Sequence, residues 1–215
     1  MKKEEGVIKF QMDYTPTAPL PPEQLRQINA WRKITYLLQL IGQEAGRYGG
    51  YGFGNISRRL EPFDAPETRR RFVISGTQTG GLAELSAGHY AIVTAYYPEQ
   101  NRLVAEGPIR PSSESLTHGM IYDLDNDLRW VIHAHSPQLW RHAAALELPL
   151  TDPAVAYGTP EMAVAVRRLF AETEVRARLI FAMGGHEDGI VSFGRTAEEA
   201  GGVMLNYLAR ALAMD

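Results

Sequence analysis

His133 and His135 stand two residues apart in Trp130-Val131-Ile132-His133-Ala134-His135, and their neighbours are those of a strand. In a strand, residues i and i+2 project to the same face, so both imidazoles point one way with Val131, while Trp130, Ile132 and Ala134 point the other. Two imidazoles side by side are half of a zinc site, and a third histidine with a carboxylate would complete it. A strand whose histidines make only ordinary hydrogen bonds would show the same local pattern. In Met183-Gly184-Gly185-His186-Glu187-Asp188-Gly189 the histidine sits between glycines, unencumbered enough to turn inward as a third ligand. Glu187 and Asp188 read as solvated loop charges.

Three further segments end on glycine or serine where elements should meet. Gly52-Phe53-Gly54-Asn55-Ile56-Ser57 would let backbone N–H groups approach an anion closely. Ser75-Gly76-Thr77-Gln78-Thr79-Gly80-Gly81 offers hydroxyls and N–H groups to a phosphate but lacks the lysine and spacing of a nucleotide-binding P-loop. Pro111-Ser112-Ser113-Glu114 precedes a helix carrying Leu116, Met120 and Ile121, so Ser112 and Ser113 are candidate caps. Glu114 would then lie in the first helical turn, where beside a metal it could serve as base or ligand. His118 follows four residues later on the same helical face, as a packed or supporting residue. His142, next to Trp140 on a helix, reads as structural.

The elements that must position these groups are legible in outline. Residues 1 to 21, with Pro16, Pro19 and Pro21, read as an extended arm with little regular structure, and 22 to 215 as one domain. Helical spacing from Leu25 to Ile41 predicts a long amphipathic helix closed by the glycines from Gly46. Strands are predicted at Phe72 to Ser75, Tyr90 to Tyr97, Leu103 to Glu106, Leu179 to Met183 and Ile190 to Phe193. Helices are predicted from Pro137 to Leu146 and from Pro160 to Ala171. Thr196 and Glu199 form a capping box for a last helix that runs to about Ala213. The sum is an α/β layered domain with a mainly antiparallel sheet.

Composition narrows the partners. The chain has 215 residues, 45% hydrophobic and 22% charged, with a formal net charge of -3, so bulk charge attracts neither nucleic acid nor anionic membrane. With no cysteine, a metal must rest on nitrogen and oxygen ligands. The polar N-terminus, Met1-Lys2-Lys3-Glu4-Glu5, and the lack of a long apolar run predict a cytoplasmic protein with a small-molecule partner.

In order and approximate spacing, Gly54-Asn55-Ile56-Ser57, Ser75-Gly76-Thr77, Pro111-Ser112-Ser113-Glu114 with His118, His133-Ala134-His135 and the glycine-flanked His186 resemble the class II aldolase/adducin family. The resemblance runs from about Trp31 to Leu212. It implies an α/β three-layer domain with a central, mainly antiparallel sheet flanked by helices, Zn2+ on His133, His135 and His186 (another divalent transition metal being the alternative), and Glu114 as the residue that moves the proton. It implies a substrate phosphate held by Asn55, Ser75, Gly76, Ser112 and Ser113, and a homo-oligomer, a tetramer by analogy. The activity implied is cleavage of a small phosphorylated ketose through a metal-bound enediolate. Dehydration of the methylthioribulose 1-phosphate type and epimerisation use the same frame, and an adducin-like scaffold is the non-catalytic alternative.

Two departures stand out. Between His135 and Tyr157-Gly158-Thr159-Pro160-Glu161 the chain is shorter than in the sugar-phosphate aldolases, so the segment that carries their tyrosine donor is missing, and the chain stops soon after its last helix, without their tail. Tyr157 is then better read as packing than as donor. Arg58 and Arg110 are the nearest sources of positive charge for an anionic substrate, and the arm is long enough to reach a neighbouring subunit.

Overall fold

A computed structural model describes residues 8–214. Ten strands and six α-helices follow in the order β1 (Gln11–Pro16), α1 (Arg26–Leu37), β2 (Gly42–Gln43), β3 (Gly52–Phe53), β4 (Asn55–Arg59), β5 (Phe72–Ser75), β6 (Tyr90–Tyr97), β7 (Arg102–Gly107), α2 (Ser115–Leu124), β8 (Trp130–His135), α3 (Pro137–Arg141), α4 (Pro160–Glu172), α5 (Val175–Arg178), β9 (Ile180–Ala182), β10 (Gly189–Gly194) and α6 (Ala197–Leu212). Eight strands form one sheet in the order β1-β7-β6-β5-β4-β8-β10-β9, and β2 pairs with β3 in a separate ribbon. Every pairing in the large sheet is antiparallel except β1 with β7.

Strand alternation divides the interior into two cores. Phe72, Ile74, Val93, Val131, Val191 and Phe193 pack towards Met120 and Ile121 of α2 and Val166 and Phe170 of α4. Their neighbours Ile56, Val73, Ile132, Ala134 and Ile190 pack the other way, against Ile28 of α1, Leu139 of α3 and Met204 of α6. The resulting three layers match the architecture expected from the sequence. No helix among the described residues is long and apolar enough to cross a membrane.

Three expectations need correction. The segment read as an extended arm with little regular structure contains β1, which lies parallel to β7 in register from Gln11 opposite Arg102 to Pro16 opposite Gly107. Proline is tolerated there because β1 is an edge strand and Pro16 is its last residue. The arm, from Gln11 on, thus docks on its own chain; residues 1 to 7 lie outside the described residues.

The first helix stops at Leu37 and does not run to Ile41. Gln39 takes a left-handed φ of 57°, and Leu40 and Ile41 both return N–H bonds to the Thr35 carbonyl. This turn frees the Leu40 carbonyl to accept from the His135 N–H at 2.9 Å, which ties the end of β8 in place. The third correction is to α3, which ends at Arg141; the chain continues to Leu148 in tight turns, with Glu147 at a left-handed φ of 55°.

Candidate metal centre

β8 lies between β4 and β10, with Asn55 opposite His133 on one side, and Val191 opposite His133 and Gly189 opposite His135 on the other. Hydrogen bonding on both edges fixes the strand, and period-two geometry turns both imidazoles to the face covered by α2 and α4. The third histidine comes from the loop joining β9 to β10, a tight loop closed by Met183 N–H to the Gly189 carbonyl and His186 N–H to the Met183 carbonyl. Segment 151–155 lies directly on this loop: a Cβ on Gly185 would sit 1.9 Å from the Val155 carbonyl oxygen, and one on Gly184 2.2 Å from that of Thr151. Only glycine permits this approach.

His133, His135 and His186 converge, all three buried, with one ligand atom from each within 4.8 Å of the others. The Nε2 atoms of His133 and His135 are 3.2 Å apart. Two imidazoles bonded to one tetrahedral zinc at the usual Zn–N length would place their nitrogens about 3.3 Å apart, so the pair has the spacing that such an ion requires. Burial, and then the neighbouring imidazoles, pushes the His133 and His135 pKa values well below the ordinary histidine value. Neutral imidazole is the form that binds a metal. The residues present therefore fit a divalent transition metal on nitrogen ligands.

Glu114 is buried at the N-cap of α2 and not in its first turn, and Ser112 and Ser113 lie before the cap. Its Oε2 accepts from Thr117 Oγ1 at 3.0 Å. Two contacts hold this segment beside the triad. Asn55, opposite His133, donates from Nδ2 to Ser112 Oγ at 2.8 Å, and the Ser113 carbonyl lies near Gly158, adjacent to the Tyr157 ring stacked on His186. Among the described residues the ligand cluster consists of the three histidines without Glu114.

Among the residues expected to hold a phosphate, Asn55, Gly76, Ser112 and Ser113 line one small polar pocket with Gly54 and the Thr77–Gly80 loop. Ser75 does not line it: its buried hydroxyl accepts the Ile56 N–H at 3.2 Å within the sheet. Asn55 Oδ1 is buried without a hydrogen-bond partner among the described residues, as expected of an amide waiting for a ligand or water. Arg58 is ruled out as a source of charge, because it points to the opposite face, donates to the Gln24 carbonyl and stacks over Trp130. Arg110 is exposed at the rim, where its carbonyl accepts the Thr77 N–H.

His118 is wholly buried, with Nδ1 2.7 Å from Ser57 Oγ, which is in turn 2.7 Å from the Tyr122 hydroxyl. Burial pushes its pKa down to about 3, so it is a neutral support beneath the site. His142 is the C-cap of α3, on the opposite side of the sheet.

The sequence reading missed a second cluster. Asp188 is not a solvated loop charge: its side chain is 13% exposed, and Oδ2 accepts from the Tyr48 hydroxyl at 2.5 Å and pairs with Arg47 at 3.3 Å. Arg47 also donates to the Tyr48 hydroxyl. The Tyr48 ring meets His135 edge-on with centroids 4.6 Å apart. Burial, with the Asp188 carboxylate adding to it, raises the Tyr48 pKa and keeps the phenol protonated. The available signal was Tyr48 standing just before Gly49 and Gly50, all three at positive φ, a strained turn of the kind that collects at sites.

Comparison with known proteins agrees with this architecture. The family model described as Class II Aldolase and Adducin N-terminal domain matches residues 41–213, and the chain belongs to that family. Among solved structures, an L-fuculose-1-phosphate aldolase from Thermus thermophilus superposes with a TM-score of 0.60 at 19% identity, covering 87% of this chain and 90% of that one. A sugar-phosphate aldolase from Thermotoga maritima does so at 0.57 and 17%, covering 89% and 96%. The N-terminal class II aldolase domain of a conserved protein from Thermoplasma acidophilum gives 0.56 and 15%, covering 88% and 92%. At these identities the likeness is one of fold. No curated protein matches the chain.

Proposed function

We propose that this protein is a zinc-dependent lyase of the aldolase type, cleaving a carbon–carbon bond in a small phosphorylated ketose. The observation that carries the reading is the convergence of three buried imidazoles, two with nitrogens 3.2 Å apart; the buried carboxylate of Glu114 stands two residues after Ser112, which Asn55 hydrogen-bonds from its place opposite His133. A scaffold has no physical need for such a cluster, because polar rings are costly to bury together and are retained where a ligand uses them.

His133, His135 and His186 would hold the metal, which when bound supplies Lewis acidity to oxygen atoms of a hydroxy ketone. Glu114 then does the proton chemistry at carbon: in the cleavage direction the substrate hydroxyl that becomes the aldehyde gives up its proton and Glu114, in its acid form, delivers one to the carbon left electron-rich by the broken bond, and in the synthetic direction its carboxylate removes that proton. Asn55, Ser112, Ser113 and the Gly76 loop would orient the substrate through its phosphate, using hydroxyls, an amide and backbone N–H groups; such anchoring gives proton transfer its geometry. Asn55 Nδ2 donates to Ser112 Oγ, so the Ser112 hydroxyl hydrogen is left to donate to the phosphate.

The exposed Ile34, Leu37 and Leu38 at the end of α1 would supply apolar surface for self-association, by family analogy into a homotetramer. The test is a screen of phosphorylated ketoses for aldehyde release by the zinc-loaded protein. Release that disappears in the Glu114→Gln variant supports the reading, and release that persists there refutes the assigned role.

A further inference from the structure

We propose that Tyr157 and Lys9 are positioning residues for His186, so that the N-terminal arm of the chain sets how firmly the metal is held; this rests on the reading of the histidine triad as a metal site. The three ligands are not equally braced. His133 and His135 belong to a strand hydrogen-bonded on both edges, whereas His186 comes from a glycine-flanked loop and needs side-chain walls to keep its ring in place.

Two rings provide those walls. His133 stacks on His186 with centroids 5.1 Å apart and planes 28° apart, and Tyr157 stacks at 4.3 Å and 21°. Tyr157 is 1% exposed, so its ring is confined. The Lys9 ammonium lies 3.4 Å from the centroid of that same ring and donates to the Tyr157 carbonyl at 3.2 Å. One ring face cannot seat both an ammonium at 3.4 Å and an imidazole at 4.3 Å without collision, so Lys9 and His186 occupy opposite faces and clamp the ring between them.

Lys9 is itself anchored. Its carbonyl accepts from Asn101 Nδ2 at 2.9 Å, and the nearby strand residue Gln11 donates its N–H to the Asn101 carbonyl at 2.8 Å. Register of β1 on β7 therefore fixes where the ammonium lands, and the contact runs from the sheet edge through Lys9 and Tyr157 to the third ligand. Groups that orient a ligating histidine commonly alter metal affinity about 10- to 100-fold when removed.

The test is the rate at which a chelating dye strips zinc from the wild-type protein and from Lys9→Met, Lys9→Arg and Tyr157→Leu variants. Removing the ammonium also removes a like charge from the neighbourhood of the metal, which by itself would slow release, so faster release reports lost positioning. Lys9→Met should release zinc about fivefold faster, Lys9→Arg, which restores a cation over the ring, at close to the wild-type rate, and Tyr157→Leu at least about tenfold faster. The visible spectrum of the cobalt-substituted protein should change in Lys9→Met and stay unchanged in Lys9→Arg. Lys9 is exposed, so its substitution leaves folding intact and the test does not depend on the buried Tyr157. Release from Lys9→Met at or below the wild-type rate would overturn the positioning role while leaving the metal site standing. A wild-type protein that binds no zinc would refute the site reading, and the positioning role with it.

Discussion

Nε2 of His133 and Nε2 of His135 lie 3.2 Å apart, buried, with no room for water between them. Two neutral imidazoles at that distance either share one proton or share one metal ion. A metal that binds the native state alone stabilises it by mass action, about 4 kcal/mol at a free concentration about 1,000 times the dissociation constant. Chelator-treated protein should therefore melt several degrees lower than zinc-loaded protein, and added zinc should restore the transition. Calorimetry with and without metal checks this, and coincident transitions would argue against a native-state site.

Replacing Glu114 by glutamine keeps the size of the side chain and removes the base. Turnover of whichever substrate is found should fall at least ~100-fold, the usual worth of a positioned acid or base. Metal content should be unchanged, since the ligand cluster comprises the three histidines alone. Steady-state kinetics and elemental analysis of the same preparation separate the two effects.

His118 makes stability depend on pH in a definite direction. Its pKa is about 3 in the folded protein and about 6.5 when unfolded, so below pH 6.5 the unfolded chain takes up a proton that the native one refuses. The stability is fully present above the unfolded value and is lost as pH falls from there towards the folded one. From about pH 7 to about pH 5.5 the loss from this residue is about 1 kcal/mol. Denaturant unfolding of metal-free wild type and His118→Asn at both pH values should show a drop smaller by that amount in the variant; equal drops would mean that His118 is protonated in the native protein.

The Tyr48–Asp188 hydrogen bond joins two loops that flank the triad. Tyr48→Phe keeps the ring against His135 and removes the hydroxyl, at a cost of about 1.5–3 kcal/mol for a bond to a charged partner. Thermal melting of the variant checks the magnitude, and a wild-type melting temperature would show that Arg47 alone satisfies Asp188.

How much of this was legible in the sequence depends on the range of the interaction that decides each feature. The shared face of His133 and His135 follows from the two-residue period of a strand, and the inward turn of His186 from its glycines, both local properties. The end of α1 was not legible: Leu38 and Ile41 continue the apolar spacing, but the chain turns at Gln39 so that Leu40 can meet His135, far away in sequence. Proline content likewise hid β1, because the edge position that tolerates Pro16 exists only once β7 is in place. Asp188 read as solvated because Arg47 and Tyr48 reach it only through the fold. Arg58 was misplaced for a simpler reason: strand alternation puts it on the face away from Asn55 and Ser57.

The most direct measurement is the zinc content of the purified, untagged protein beside a His133→Ala, His135→Ala double variant. About one zinc per chain, retained through dialysis and lost in the variant, is the expected result. Absence of metal from the wild-type protein even after reconstitution, or equal metal in both, would contradict the assignment of the triad as a metal centre and leave the chain an aldolase in fold alone.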